Sequence, residues 1–136
     1  MTETAKQEVK QKKDGKKVIL VAEDDIYYAN IYKVKLTKEG FDVVIAANGD
    51  WAIKLARQKK PDLVLLDLIM PVKDGFEFLK EIKKDPILAK TKIVVLSNLG
   101  QEEDIKKARE YGIDGYFIKT NVSIQELVSK IKMFVN

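Results

Sequence analysis

Five polar side chains follow directly on short apolar runs. Glu23 and Asp24 come after "KVILVA" (17–22), Asp67 closes "PDLVLLD" (61–67), Ser97 closes "TKIVVLS" (91–97) and Lys119 closes "GYFIK" (115–119). Carboxylates gathered at one spot repel each other and hold protons more tightly unless a cation lies among them. Glu23, Asp24 and Asp67 together therefore describe a site for a hard divalent ion. Mg²⁺ takes oxygen ligands at roughly 2.0–2.1 Å in near-octahedral geometry and keeps several waters, so one or two direct carboxylates suffice. Asp24 and Asp67 are the expected direct ligands, Glu23 acts through water, and the backbone carbonyl of Ile69 completes the protein's share. A carboxylate is also a nucleophile that can accept a phosphoryl group as an acyl phosphate, and Asp67 is the candidate. Such a transfer gathers charge on three equatorial oxygens. The ion, the Lys119 ammonium, and the Ser97 hydroxyl with neighbouring N–H groups would each take one of them. Without phosphate, Lys119 can pair with Asp67. Asp25 precedes the helical stretch beginning at Ile26 and reads as its N-cap.

Those residues need a scaffold that brings strand ends together. Apolar runs alternate with amphipathic stretches: strands at 17–22, 41–47, 61–67, 91–97 and 115–119, helices at 26–40, 49–60, 75–85, 101–112 and 122–135. The runs are short, β-branched and non-alternating, as strands buried on both faces are. Five strand–helix repeats predict right-handed crossovers and a doubly wound α/β fold, flavodoxin-like, with a five-stranded parallel sheet in the order 2-1-3-4-5 and five helices. In such sheets function sits at the carboxyl ends of the strands, where the strand order reverses. With that order, the four strands that end in polar residues are neighbours. The second strand ends in Ala46 and Ala47 and offers no chemistry.

Composition narrows the choices further. The chain has no histidine and no cysteine, so any metal must be held by oxygen and no disulfide can form. With 46% hydrophobic and 34% charged residues among 136, one soluble domain is expected. No apolar run is long enough to span a bilayer and no signal peptide opens the chain, so a cytoplasmic location is the default. The net charge is +4, yet residues 1–17 hold six lysines against three acids. The body is nearly neutral, which argues against a nucleic-acid surface. Residues 1–16 read as a flexible basic tail and 17–136 as the domain.

At this point the chain resembles the receiver domain of two-component response regulators. The resemblance spans residues 17–135 and rests on "VILVAEDD", "AANGDWAIKLARQKKPDLVLLDLIMPVKDGFEFL", "IVVLSN" and "DGYFIK". It implies Mg²⁺ as cofactor and phosphoryl transfer from a partner histidine kinase or histidine phosphotransfer protein to an aspartate. Carried over, Glu23 and Asp24 resemble the acidic pair, Asp67 the phosphoacceptor, Ser97 the switch hydroxyl, Lys119 the site lysine and Tyr116 the aromatic switch. Met70, Pro71 and Gly75 in "MPVKDG" match the loop after the phosphorylation site. Two positions depart from the pattern. Thr120 stands where a cis-proline usually follows the lysine, and a cis bond there would cost roughly 3–4 kcal/mol. Asn98 stands where alanine or glycine is common, which bears on phosphorylation and dephosphorylation rates.

A phosphorylation-controlled switch is the leading reading, with slow self-dephosphorylation rather than turnover of outside substrates. A receiver that no longer phosphorylates and acts as a binding module is the alternative within the family. An aspartyl-phosphate hydrolase would want a second acid two residues after the nucleophile, where Ile69 stands. A flavin carrier of the same fold would want a hydroxyl-rich phosphate loop after the first strand, where three acids stand. The chain ends after its fifth helix, so no DNA-binding domain is expected and output should pass by protein contact. The expected contact face is the helix at 101–112, the strand at 115–119 and the helix at 122–135, with Ser97 and Tyr116 coupling it to the site.

Overall fold

A computed structural model describes residues 15–136; the basic tail expected at 1–16 lies almost wholly outside them. Five strands, β1 (Val18–Ala22), β2 (Asp42–Ala46), β3 (Leu63–Leu66), β4 (Lys92–Ser97) and β5 (Gly115–Ile118), alternate with five helices. The helices are α1 (Ile26–Lys38), α2 (Gly49–Lys59), α3 (Gly75–Lys84), α4 (Glu102–Glu110) and α5 (Ile124–Val135). All strand pairs are parallel, in the order β2-β1-β3-β4-β5. The expected architecture holds, with most elements slightly shorter than their sequence patterns. The helix read as ending at Gly40 stops at Lys38, because Glu39 caps it and Gly40 turns the chain at φ 95°, a conformation glycine adopts at little cost.

Hydrophobic residues line both faces of the sheet. On one face, Leu20, Val64, Leu66, Ile93 and Val95 pack against α2, α3 and α4 through Ile53, Phe78, Leu79, Ile82 and Ala108. On the other, Ile19, Val21, Leu63, Leu65, Val94 and Leu96 pack against α1 and α5 through Tyr32, Leu36, Leu127 and Ile131. Burial on both faces is why these strands read as continuous apolar runs rather than alternating ones. Every apolar side chain in β1 and β3 is buried, so these strands have no freedom to slip in register.

Among the described residues, four of the five helix starts are capped by short polar side chains; α4, which follows Gln101, has no side-chain cap. Asp25 accepts from the Tyr27 amide, Asn48 from Trp51 and Ser123 from Glu126, while Asp74 and Glu77 form a reciprocal capping box. Each satisfies amides that the first helical turn leaves without partners. Asp25 is thus the N-cap its position suggested.

Candidate functional site

The strand order reverses between β1 and β3, whose last residues, Ala22 and Leu66, lie side by side. Their successors are Glu23 and Asp67. Ladder hydrogen bonds continue past the strand ends and pin these residues: Glu23 donates its amide to the Ala46 carbonyl at 3.0 Å, and Asp67 to the Ala22 carbonyl at 3.0 Å. On the far side of β4, the Lys119 amide donates to the Ser97 carbonyl at 3.0 Å. Register alone therefore carries an acid, a second acid, a hydroxyl and an ammonium to one end of the sheet.

The side chains converge. Carboxylate oxygens of Glu23, Asp24 and Asp67 all lie within 4.8 Å of one another. Glu23 and Asp67 are 3% and 4% exposed, whereas Asp24 faces solvent. The Lys119 ammonium sits between the buried pair, 2.5 Å from Glu23 Oε1 and 2.8 Å from Asp67 Oδ2. The pairing with Asp67 was expected; the shorter one with Glu23 was not legible from sequence. Glu23 Oε2 accepts from the Asp25 amide at 3.0 Å and Asp67 Oδ1 from the Ile69 amide at 3.1 Å. Ser97 is fully buried, and its hydroxyl accepts from the Leu99 amide at 3.3 Å. Among the described residues the peptide bond from Lys119 to Thr120 is trans, as are all others.

Electrostatics follow from this crowding. Burial pushes the Glu23 carboxyl up to about 7, against the opposing pull of Lys119. Burial works against the charge on Lys119 too, but its hydrogen bonds to Asp67 and Glu23 more than reverse that and hold it above the ordinary lysine range. The lysine stays charged, and the buried acids share one cation.

Tyr116 stands on β5, three residues before Lys119. Its hydroxyl donates to the Leu99 carbonyl in the loop between β4 and α4, and its ring packs on the core cluster beneath α4. The Tyr116 hydroxyl is also held above its ordinary pKa, first by burial and then by the nearby Asp104 and Asp67 charges. It is therefore a neutral hydrogen-bond donor at physiological pH. Ser97 and Tyr116 meet at Leu99, to which each is hydrogen-bonded.

The loop after Asp67 is shaped by backbone contact. Gly75 donates its amide to the Leu68 carbonyl at 3.0 Å. A Cβ on Gly75 would fall 2.6 Å from the Asp67 carbonyl oxygen and 2.6 Å from Leu68 Cα. Val72 takes φ 69°, a costly region for a β-branched side chain. Gly75→Ala is expected to lower stability by about 1–3 kcal/mol through this clash and to move Asp67. Thermal unfolding checks the first effect and amide shifts of Asp67 and Leu68 the second; an unshifted Asp67 amide would contradict it.

Comparison with known proteins fits this geometry. The sequence profile of the response regulator receiver domain matches residues 19–132. The chain belongs to that family. This receiver is 33% identical over 118 residues to "Chemotaxis protein CheY" of Halobacterium salinarum, covering 85% of this chain and 96% of that protein. It is 36% identical over 117 residues to "Probable transcriptional regulator ycf29" of Porphyra purpurea, covering 86% of this chain and 56% of the relative. The receiver thus spans about half the length of that regulator and nearly all of the chemotaxis protein. The receiver domain of the Francisella response regulator 1452 superposes with a TM-score of 0.80 at 31% identity, covering 88% of this chain and 96% of that one. Receivers are phosphoacceptors in two-component signalling rather than enzymes that turn over outside substrates. Among the described residues, no helix is long and apolar enough to cross a membrane.

Two features of the site escaped sequence reasoning. One is the double ion pair of Lys119. The other is Tyr28, whose ring faces the Lys119 ammonium at 4.7 Å. The spacing of Tyr28 and Tyr32 places both on one helical face, a signal that points inward without naming what lies there.

Proposed function

We propose that this receiver is a switch in which Asp67 accepts a phosphoryl group from a histidine kinase or a histidine phosphotransfer protein, in the cytoplasm. The observation that carries the reading is the buried Asp67 carboxylate, with an ammonium on one oxygen and two further acids within 4.8 Å. An Asp67 oxygen attacks phosphorus, the new P–O bond forms, and the P–N bond of the phosphohistidine breaks. The electron pair leaves with the imidazole nitrogen. Lys119 follows the charge from Asp67 Oδ2 to a phosphoryl oxygen, and the Ser97 hydroxyl turns from the Leu99 amide to donate to another. Ile69, exposed and two residues beyond Asp67, offers no proton donor that would speed hydrolysis, so slow self-dephosphorylation is expected.

The donor set suits a hard cation, because three carboxylates and one ammonium leave the cluster net negative and all its ligand atoms are oxygen. Glu23, Asp24, Asp67 and the Ile69 carbonyl would hold Mg²⁺, which would neutralise charge building on the phosphoryl oxygens. Asp24→Asn should weaken Mg²⁺ affinity by at least about tenfold and leave the metal-free protein as stable or more so, by relieving repulsion. Calorimetric titration reading equal affinity in the variant would remove Asp24 from the ligand set.

Output would pass through Ser97, Leu99 and Tyr116 to a protein partner at residues 101–135. Intact mass after incubation with Mg²⁺ and acetyl phosphate tests the function directly. One added phosphoryl group, dependent on Mg²⁺ and labile to hydroxylamine, is expected. An unmodified chain would refute the phosphoacceptor role and leave a binding module.

A further inference from the structure

Lys119 carries three N–H groups, and among the described residues its ammonium has two oxygen partners, on Glu23 and Asp67. The third side of the ammonium meets the face of Tyr28, 4.7 Å from the ring centroid. Tyr28 is itself held in place. Its ring stacks on that of Tyr32 with centroids 6.1 Å apart and planes 23° apart, and Tyr27 meets it edge-on at 5.6 Å. Tyr32 is buried in the core beneath α1, so the stack is anchored to the sheet. Beside Lys119 lies a cavity of about 130 Å³ whose walls include Tyr28, Tyr32, Leu96, Ile124 and Leu127. Lys119 is itself one of the walls, so removing the Tyr28 ring would enlarge that space beside the lysine and bring more water against it. Beyond Lys119 no proline fixes the backbone, since Thr120 follows; the turn is held instead by the Asn121 amide, which donates to the Ile118 carbonyl at 2.9 Å.

We propose that Tyr28 is a positioning residue for phosphoryl transfer, its ring face holding the Lys119 ammonium at the acid pair while letting it slide toward a phosphoryl oxygen. The inference rests on the phosphoacceptor reading of Asp67. The physical basis is the shape of the attraction. A ring quadrupole draws a cation toward a broad face and strengthens when water is excluded. An oxygen acceptor would instead fix the ammonium in one direction. Lys119 must move outward when Asp67 is phosphorylated, because its partner oxygen is then on the phosphoryl group, and a π face tolerates that travel.

The test uses the full chain with Tyr28→Leu, which keeps apolar bulk, and Tyr28→Phe, which keeps the ring. Lys119 Hε resonances, assigned by their loss in Lys119→Met, should lie upfield from ring current in the unsubstituted chain and in Tyr28→Phe. They should return to ordinary lysine positions in Tyr28→Leu. Phosphorylation by acetyl phosphate with Mg²⁺ should slow about tenfold in Tyr28→Leu and change less than about twofold in Tyr28→Phe. If Tyr28→Leu does not fold, Tyr28→Met, unbranched and flexible, takes its place. A normal rate in the ring-less variant overturns the proposal, as do Lys119 resonances that stay upfield there, or a Tyr28→Phe as slow as Tyr28→Leu. Failure of the parent reading shows separately, as an unsubstituted chain that takes up no phosphoryl group.

Discussion

Replacing Lys119 with methionine will destabilise the metal-free protein by about 3–5 kcal/mol near pH 8, the range for a buried charge stripped of its partner, and by less near pH 5. Glu23 and Asp67 are both almost wholly buried, and Lys119 bridges them at 2.5 and 2.8 Å. Methionine keeps the unbranched stem but leaves two carboxylates facing each other without a cation. The pH dependence follows from Glu23, whose carboxyl burial already pushes up to about 7. A carboxyl whose folded pKa lies above its unfolded value binds its proton more tightly when folded. Its contribution to stability is full below the ordinary value of 4.5 and is lost as pH rises through the folded value. Without the opposing pull of Lys119, Glu23 moves further up, so the loss grows and extends to higher pH. Added Mg²⁺ should recover part of it by binding the folded acids alone. Urea unfolding at the two pH values is the measurement. A destabilisation of equal size at both would show that the lysine's packing, not its charge, holds the site together.

Asp67→Asn will abolish phosphoryl incorporation while leaving the fold intact. Asparagine is nearly isosteric with aspartate, so its carbonyl oxygen can still accept from the Ile69 amide, which lies 3.1 Å from Asp67 Oδ1, while its NH2 cannot accept from Lys119 and that hydrogen bond is lost. The Asp67 amide remains bonded to the Ala22 carbonyl, and Lys119 keeps Glu23 at 2.5 Å. The amide lacks the negative charge that makes the carboxylate a nucleophile, so the chain should gain no mass from acetyl phosphate. With one fewer acid around a single ammonium, metal-free stability should hold or rise, and Mg²⁺ affinity should fall. A phosphoryl group found on Asp67→Asn would place the acceptor elsewhere. A variant that unfolds would show that the Asp67 charge, and not only its shape, supports the end of β3.

Much of this receiver is legible from local patterns, and the reasons are particular. Strands buried on both faces must be apolar throughout, so "VILVA" and "LVLL" announce β1 and β3, and parallel strands require crossovers, which the intervening helices supply. Each strand end is then known to within a residue, so Glu23, Asp24, Asp67, Ser97 and Lys119 can be assigned to one end of the sheet from the chain alone. Helix ends were less legible. Gly40 and Gly112 belong to the turns that follow α1 and α4, because a residue that stops a helix lies outside its hydrogen bonds. Asp25 capped α1 as its type and place suggested.

What only the tertiary structure decided concerns which oxygen meets which cation. Glu23 and Lys119 stand near opposite ends of the domain's sequence, and no local pattern sets the reach of a lysine stem across β3 and β4. That pairing depends on the order of the strands and on the ladder bonds that hold Glu23 and Lys119 at their ends. The Tyr28 ring facing the ammonium is of the same kind, since α1 comes to lie over that end of the sheet through Tyr32 and Leu36 in the core. So is the meeting of Ser97 and Tyr116 at Leu99. Residue type and spacing along a strand decide which chemistry is present, because a β-strand has a fixed rise and alternation. Contacts between side chains from different strands and helices depend on packing angles and rotamers, which arise only when the layers close on one another.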